Sequence, residues 1–596
     1  MARRIVVLLA VLAGFAVPAA AGAQPADAPA RAATLRVGTA QQIDSLNPFL
    51  GYSLASTDLF RLIYPTLTTY DPRDFAPEPE LAESWSTSPD KLTWTFKIRP
   101  GVRWTDGLPV TARDAAYTYD RMMRDPTAAT ANGNFVENFQ SVSAPDDGTL
   151  VIRTKTPQTT MLAIDAPIVP AHVWSKIPDL TSYPNDRMPV VGSGPFQLTE
   201  YEPERYAALR ANPDFWRGPA KIGELRFVQF KNTDAAVQAL RKGEIDVAQQ
   251  LTPTQFEALA GQRDIQQVKG QGRRFSEMLI NPGAIKSEGQ PIGSGHPALT
   301  DVRVRRAVDK AIDKPKLIDR VLNGYGQVGG GYLPPIFDDY HWKPPRPRGF
   351  DPAAANRELD AAGYLRGPDG IRRTPQGEPL NFEFMLHAST SADAQVGEFV
   401  KQWLADIGIA VQLDPVSDNQ VNDRTTGGDF DLAMSGWSAN PDPDYVLRLQ
   451  TCGSRPSPDG GGTPDSFLCD PVYDDRYARQ LGEFDPAKRI DLVKQAQRRF
   501  YDQASASVLY YQNSLEAYRS DRFSGFTTQP ANGGVITGQQ GYWGYYGAQP
   551  TPRAEHASDP PDYGRIGLVL LGIVVVGGVV ILLVARHRRA TMDERE

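Results

Sequence analysis

Cysteine and histidine are scarce in this sequence, with 2 cysteines and 6 histidines among 596 residues. The histidines are scattered without HExxH spacing and the cysteines do not form a CxxC pair, so the sequence offers no protein zinc site. A Gly-x-Ser-x-Gly nucleophile elbow is absent. A dinucleotide-type glycine pattern at 324–329 follows a predicted helix instead of opening one, and is a chance match. We therefore expect no catalytic residue, no metal site and no cofactor.

A large charge of one sign is missing as well. The net charge of −7 is small for this length and no basic run interrupts the body of the chain, so nucleic acid is not an expected partner. The chain is long instead. Its 596 residues are too many for a single hydrophobic core, because single cores stop growing at about 250 to 300 residues. With 52 glycines and 50 prolines, the sequence predicts two or three lobes built from short elements and many turns.

The first residues have the pattern of a secretory signal. Arg3 and Arg4 precede an apolar run at 5–17, and Ala21-Gly22-Ala23 supplies small residues before a cleavage point. We predict a signal peptide at 1–23, cleaved after Ala23. An uncleaved anchor is the alternative, although the run is shorter than the about 20 residues that span a bilayer. The Ala- and Pro-rich residues 24–33 are predicted to be disordered.

The last residues predict a membrane anchor. Residues 566–585 are uncharged and long enough to cross a bilayer, and Arg586, Arg588 and Arg589 follow them. The positive-inside rule then places residues 586–596 in the cytoplasm and the body outside the cell membrane. A buried core helix is the alternative for this run. Residues 531–565, rich in Gly, Gln, Pro and Tyr, are predicted to form a stalk.

Residues 192–248 predict one step of a layered α/β domain. Gly192, Gly194 and Pro195 suit a tight turn, after which Phe196 begins an alternating strand. A helix is predicted from Thr233 to Lys242, ended by Gly243, with a strand after it. This order of strand, helix and strand favours an α/β fold.

Further blocks follow in order along the chain: RWTDGLPVTARDA at 103–115, LTDVRVRRAV at 299–308, FDP at 350–352 with AAGY at 361–364, WLADIGI at 403–409 and FDLAMSGW at 430–437. Together with 192–248, they resemble the extracellular solute-binding proteins of family 5, the oligopeptide-, dipeptide- and nickel-type substrate-binding proteins of ABC transporters. The resemblance spans roughly residues 34–530.

The resemblance implies an α/β fold of the periplasmic-binding-protein type II-like kind, with two principal lobes joined by a hinge and an extra domain. We expect lobe I at 34–69, 192–295 and 513–530, the extra domain II at 70–191, and lobe III at 296–512. By the same resemblance the two lobes close over ligand, with few crossing segments absorbing the motion.

The expected function is capture of a peptide or peptide-like solute by a membrane-tethered extracytoplasmic receptor, and its delivery to the transmembrane subunits of an ABC permease. We expect a monomer. A sensory or adhesion ectodomain with the same fold is one alternative. A cell-wall hydrolase is another, and the absence of a nucleophile-base pair argues against it.

The resemblance also implies a ligand wall. At its centre is a strand end whose backbone pairs with the backbone of the ligand, which suits varied side chains. The expected ligand-binding residues are Ser435, Gly436, Trp437, Ser438 and Asn440 on this wall, Gly51, Tyr52 and Leu54 from lobe I, and Tyr511 from the return crossing. Trp437 as a core residue and Tyr52 as a surface residue are the alternatives.

Asn440 departs from the family pattern. Peptide-binding relatives place an aspartate there that pairs with the α-ammonium of the ligand, and an amide offers that ammonium only a dipole. Either Asp442 or Asp444 takes over the pairing, or the ligand lacks a free amine, and both possibilities stay open.

The two cysteines, Cys452 and Cys469, are the remaining candidates for chemistry. An exported location favours a disulfide between them. Two free thiols are the alternative.

Overall fold

The computed structural model describes residues 33–457 and 462–555. Its strands are β1 Thr34–Thr39, β2 Thr68–Tyr70, β3 Pro77–Pro79, β4 Ala82–Thr87, β5 Thr93–Ile98, β6 Phe139–Asp146, β7 Thr149–Thr154, β8 Phe196–Glu202, β9 Tyr206–Ala211, β10 Glu224–Gln229, β11 Val247–Ala248, β12 Ile265–Gly270, β13 Phe275–Ile280, β14 Gly326–Val328, β15 Asn381–His387, β16 Ala410–Val416, β17 Leu432–Ser435, β18 Ala506–Gln512, β19 Ser514–Arg519, β20 Phe523–Ser524 and β21 Gln549–Pro550.

The α-helices are α1 Leu54–Ile63, α2 Ala112–Arg124, α3 Ala171–Trp174, α4 Thr233–Lys242, α5 Pro253–Glu257, α6 Val302–Lys310, α7 Lys314–Val321, α8 Pro352–Ala361, α9 Ser391–Asp406, α10 Asp418–Gly427, α11 Asp444–Arg448, α12 Pro471–Leu481, α13 Pro486–Gln503, α14 Trp543–Gly547 and α15 Pro552–Glu555. Short 3-10 helices lie at Gly133–Phe135, Thr159–Leu162, Pro297–Thr300 and Cys452–Ser454.

Lobe I is built on a seven-stranded mixed sheet in the order β12-β19-β11-β1-β10-β9-β8. Strand β1 runs parallel to both β10 and β11. Its residues Leu35 and Val37 are fully buried, as expected for a central strand covered on both faces. Arg36 of the same strand is buried too, and its Nε donates to Asp246 Oδ2 at 2.9 Å, so the charge is paired where it leaves water.

Lobe III is built on a six-stranded sheet in the order β14-β18-β13-β17-β15-β16. All six residues of β13 are buried, and β13 pairs antiparallel with both β17 and β18. Helices α6 and α9 contribute Val304, Val308 and Val400 to the core that covers this sheet.

The chain crosses between the two sheets at two places. One crossing joins β12 to β13 through residues 271–274, and the other joins β18 to β19 through Asn513. The first crossing lies about twenty residues before the predicted boundary at 295, because β13 belongs to the sheet of lobe III. Strand β13 carries Ser276 and Glu277 among apolar residues, and this pattern does not assign it to either sheet.

The region 70–191 holds a four-stranded antiparallel sheet in the order β4-β5-β7-β6. Helix α2 covers it and begins with a capping box, in which Thr111 accepts from the helix backbone and Asp114 accepts from the backbone of Thr111. Trp104 of the motif at 103–115 is buried. The motif therefore forms the entry to this helix and part of the core.

The structure corrects the predicted stalk. Residues 531–555 pack onto lobe I and the 70–191 region, and Tyr542, Trp543 and Tyr545 are buried. The Tyr542 hydroxyl donates to Glu80 Oε2 at 2.8 Å and Trp543 Nε1 donates to the Tyr70 carbonyl at 2.8 Å. The prediction is wrong here because these aromatic rings bury enough apolar surface to order a segment whose Gly, Gln and Pro content suggested a flexible one.

The predicted terminal segments fall mostly outside this range. Residues 1–23, 24–32, 556–565, 566–585 and 586–596 are not among those that the structure describes. Ala33, which was predicted to end the disordered stretch, is buried. Within 33–457 and 462–555 no helix combines the length and the apolar character that crossing a membrane requires.

Candidate functional site

A cavity of about 440 Å³ lies where the chain crosses between the lobes, and we call it the interlobe cavity. Lobe I contributes Gln41, Leu54 and Asp58 to its wall, and Ser438 comes from lobe III. Both crossing segments line it as well, through residues 271–274 and 512–515. A cavity walled by two lobes and their connections changes shape when the lobes move.

A second cavity of about 340 Å³ lies within lobe III, and we call it the lobe III cavity. It shares Arg274 and Gln512 with the interlobe cavity. His387, Asp393 and Ser435 are among its other lining residues. The two cavities therefore meet at Arg274, and both have the size of small-ligand sites.

The segment 435–440 continues β17 toward the interlobe cavity. One edge of it pairs with the first crossing, since Phe275 N donates to Trp437 O at 3.1 Å and Ala439 N donates to Arg273 O at 2.9 Å. On the other side, β15 pairs with β17 only at Leu432 and Ala433. Among the described strands the second edge of 435–440 thus has no partner, as backbone pairing with a ligand requires.

Trp437 is held by the protein and lines neither cavity. Its Nε1 donates to Asp465 Oδ1 at 3.0 Å, and its ring meets Tyr445 edge to face at 6.0 Å between centroids. Gly436 before it allows a close approach, because a Cβ there would lie 2.4 Å from the Phe275 carbonyl oxygen. The ring and the glycine therefore position the strand end.

Asn440 forms a side-chain hydrogen bond between the lobes. Its Oδ1 accepts from Gln540 Nε2 at 2.9 Å, and Gln540 Oε1 accepts from Arg61 of α1 at 3.0 Å. Asn440 lines neither cavity. The amide at this position thus contacts lobe I through Gln540.

Asp442 and Asp444, the two alternative partners for a ligand amine, both accept hydrogen bonds from protein side chains. Both oxygens of Asp442 accept from Arg489, at 2.8 and 2.9 Å. Asp444 Oδ1 accepts from the Tyr477 hydroxyl at 2.8 Å. Burial, and then the charge of Asp442, raises the pKa of Asp444 to about 6. Neither carboxylate lines the interlobe or the lobe III cavity.

The other predicted site residues separate into two groups. Leu54 and Ser438 line the interlobe cavity and Ser435 lines the lobe III cavity. Tyr52 is 76% exposed and lines neither, and Gly51 is buried against Phe60.

Tyr511 is a core residue. It is buried, and its hydroxyl donates to Gly331 O at 2.7 Å and accepts from Gly330 N at 3.0 Å. The ring therefore fixes the loop after β14 and does not reach either cavity.

The sequence-based prediction missed the charged residues of the interlobe cavity: Asp58, Arg273 and Arg274. Burial raises the pKa of Asp58, and Arg61, which donates to Asp58 at 3.0 Å, opposes that rise. Burial and then the charge of Arg61 lower the pKa of Arg273 to about 10. The signal available in the sequence was two adjacent arginines in the glycine-containing stretch KGQGRRF at 269–275.

Cys452 and Cys469 form a disulfide, with 4.5 Å between their Cα atoms. It closes the loop that follows α11. Within the described ranges no group of three or more His, Cys, Asp or Glu side chains is arranged to hold a metal ion.

A family model described as bacterial extracellular solute-binding proteins, family 5 middle, matches residues 76–457. The chain is 28% identical over 531 residues to Protein XP55 of Streptomyces lividans, covering 87% of this chain and 92% of that protein. It is 26% identical over 556 residues to Di/tripeptide-binding protein 2 of Pseudomonas aeruginosa (strain UCBPP-PA14), covering 87% and 96%.

Among solved structures, NikZ from Campylobacter jejuni in complex with Ni(L-His) superimposes with a TM-score of 0.72 at 20% identity, covering 87% of this chain and 99% of that one. The likeness supports the periplasmic-binding-protein type II-like fold. Because the family model covers more than half of the sequence and the fold agrees with it, the chain belongs to the bacterial extracellular solute-binding proteins of family 5, which are the substrate-binding proteins of peptide- and nickel-type ABC transporters and not enzymes.

Proposed function

We propose that this protein captures a peptide or peptide-like solute in the interlobe cavity and hands it unchanged to an ABC permease. The observation that carries the proposal is the unpartnered strand edge at 435–440, which leads to Ser438 in the cavity wall. A peptide can extend the sheet along such an edge through its backbone alone. The relative named as a di/tripeptide-binding protein supports the same class of ligand.

Closure of the lobes follows from this position of the site. The wall combines Leu54 of lobe I with Ser438 of lobe III, so a ligand between them contacts both bodies. A ligand shifts the equilibrium toward the closed form only by the difference in its affinity for the two forms. The two crossings, residues 271–274 and 513, are the positions that absorb the motion.

Tethering belongs to the proposal as well. The uncharged run at 566–585 and the arginines after it support an anchor that keeps the body at the outer face of the membrane, near a permease. Fractionation of cells tests this part. The protein should sediment with membranes, and deletion of residues 566–596 should release it.

The test of ligand class is native mass spectrometry of the purified protein with a pool of tripeptides. We expect complexes of one peptide per protein and recovery of each peptide with unchanged mass. The same pool methylated on its backbone nitrogens should bind much more weakly, because those groups can no longer donate to the strand edge. Equal binding of both pools would contradict the strand-edge mode, and absence of any complex would contradict the peptide class.

A matched pair of glycine variants locates the site. Gly436→Ala places a Cβ 2.4 Å from the Phe275 carbonyl oxygen and should displace the strand end, whereas a Cβ at Gly349 meets nothing within 4 Å. We expect Gly436→Ala to lose tripeptide binding and Gly349→Ala to retain it. Equal binding by the two variants would place the ligand elsewhere.

A further inference from the structure

Arg274 is an exposed cation at the meeting point of the two cavities. Its side chain lines both of them, and it makes no hydrogen bond or ion pair with any residue that the structure describes. Its backbone is fixed, since a β-bridge joins Arg274 to Ser438 and Phe275 N donates to Trp437 O. The backbone that carries the Arg274 guanidinium into the cavity wall is therefore held in place by hydrogen bonds.

Arg273 beside it is only partly satisfied. Its Nη2 donates to the Gly538 carbonyl at 2.8 Å, and no carboxylate in the described ranges forms an ion pair with it. Desolvation by the surrounding protein lowers the pKa of both Arg273 and Arg274. Asp58 opposes this fall at Arg273, and Asp393 opposes it at Arg274, without an ion pair in either case.

Three other arginines of the interior have carboxylate partners. Arg489 donates to both oxygens of Asp442, and Arg36 donates to both oxygens of Asp246. Arg348 likewise has Asp309 at 2.5 Å. These three guanidiniums each have a carboxylate partner, whereas buried Arg305 donates only to the carbonyls of Leu299, Thr300 and Gln503. Neither arginine of the interlobe cavity forms an ion pair with a described carboxylate.

The carboxylates that line the cavities already have donors. Asp58 accepts from Arg61, Asp393 accepts from His387, and Asp418 accepts from the Ser389 hydroxyl. Glu277, a buried carboxyl near Arg274, has a pKa that burial and then the charge of Asp465 raise well above the ordinary value.

The position expected to anchor a ligand amine is also unavailable, because Asn440 Oδ1 accepts from Gln540. The cavity therefore offers unpaired positive charge and no unpaired carboxylate at the predicted amine site. Guanidinium groups match carboxylate and phosphate oxygens in geometry and make charge-assisted hydrogen bonds to them.

We propose that the solute carries an oxyanion group, a carboxylate or a phosphate, which Arg273 and Arg274 bind where the two cavities meet, and that a free amine is not its anchor. This proposal rests on the proposed function, since it assigns chemistry to the same cavity. It makes the arginine pair the specificity determinant: a solute without the anion leaves two charges unpaired in the closed form.

The test compares four forms of one tripeptide series on the whole protein: free, N-acetylated, C-terminally amidated, and both. We expect the N-acetylated form to bind as tightly as the free form. Amidation should weaken binding on the order of 30-fold or more, as when one member of a buried charge pair is removed. Arg274→Gln should abolish this preference for the free acid. The control Arg263→Gln, at an exposed arginine outside both cavities, should keep it.

Inorganic phosphate provides the second arm, measured as a shift in thermal midpoint against sodium chloride of equal ionic strength. Phosphate should stabilise the wild type and Arg263→Gln more than Arg274→Gln, whichever oxyanion the solute carries. A preference for the free acid together with the phosphate effect identifies a carboxylate, and a phosphate effect without that preference identifies a phosphate-bearing solute.

The outcomes separate the two proposals. If tripeptides bind and the amide binds as well as the acid, and phosphate gives Arg274→Gln the same shift as the wild type, the anion proposal is overturned while the proposed function stands. If no tripeptide binds, the peptide function fails, and the phosphate comparison alone decides the anion proposal: a shift that depends on Arg274 supports it and an equal shift overturns it.

Discussion

Glu516 of β19 offers a quantitative test of how the interlobe cavity is held. The carboxylate is buried and accepts from Ile536 N at 2.8 Å, from Thr537 N at 3.1 Å and from the Thr537 hydroxyl. Val535 and Thr537 line the cavity, so Glu516 attaches this wall to the sheet of lobe I. Burial disfavours the ionised form more than the hydrogen bonds favour it, and the pKa of Glu516 is raised to about 7.

The magnitude follows from the two pKa values. An ordinary glutamate has 4.5 in place of about 7, and at about 1.36 kcal/mol per pKa unit the difference corresponds to about 3 kcal/mol. Between these values the folded protein binds more protons at Glu516 than the unfolded chain does. The free energy of unfolding contributed by this group therefore falls as the pH rises from 4.5 to 7.

Glu516→Gln removes the titration and should remove this fall. We expect the free energy of urea unfolding of the variant, minus that of the wild type, to increase by about 3 kcal/mol between pH 4.5 and pH 7.5. Glu257→Gln, at an exposed position of α5, is the control and should leave the pH dependence of the wild type unchanged. A difference for Glu516→Gln that stays constant with pH would mean that water reaches the carboxylate, and would refute the reasoning.

Other substitutions test separate parts of the structure. Asp309 is a buried carboxylate with two cations within 3.1 Å, so Asp309→Asn should lower the free energy of unfolding by about 3 to 5 kcal/mol. Burial opposes ionisation of Asp309, but the two cations lower its pKa. The wild type should therefore lose this stabilisation as the pH falls below 3.8, which acid unfolding measures. Replacing Cys452 and Cys469 by serine should cost about 3 kcal/mol in urea unfolding, from the loop entropy of the unfolded chain. Trp437→Phe removes the donor to buried Asp465 and should cost about 1 to 3 kcal/mol; an unchanged midpoint in a thermal scan would show that the bond is dispensable.

Local chemistry made several elements of the fold predictable. The helix expected from Thr233 to Lys242 is α4 with those bounds, and Gly243 after it has φ 75°, the left-handed conformation that glycine accepts most readily. The strand expected to begin at Phe196 is β8, which begins at that residue. In both cases neighbouring residues carry the signal, through alternation, capping or a breaker.

What the sequence did not reveal depends on contacts between distant residues. Strand β13 joins the sheet of lobe III because its partners are β17 and β18, more than 150 residues away in the chain. Gln540 reaches Asn440 across 100 residues, so the predicted ligand contact became a contact between protein groups. The Gly, Gln, Pro and Tyr content of 531–565 suggested a stalk, and only the packing of Tyr542 against Phe215 and the 70–191 region shows that this segment is buried.

The candidate site was predictable in part for the same reason. A motif marks the strand end at 435–440, and Ser438 from this segment lies in the wall of the interlobe cavity. The role of these residues in ligand binding stays a prediction. Tyr511 lines neither cavity, because β18 is buried from Ala506 to Tyr511 and the Tyr511 hydroxyl is bonded at Gly330 and Gly331. The two arginines of the first crossing were overlooked because charged pairs are common on protein surfaces.

Small-angle X-ray scattering with and without the tripeptide pool tests the central claim most directly, on protein whose loading is verified by native mass spectrometry. If the solute is bound between two lobes that pivot about residues 271–274 and 513, the loaded protein has a smaller radius of gyration than the empty one. Identical scattering curves for the empty and the fully loaded protein would contradict capture by lobe closure.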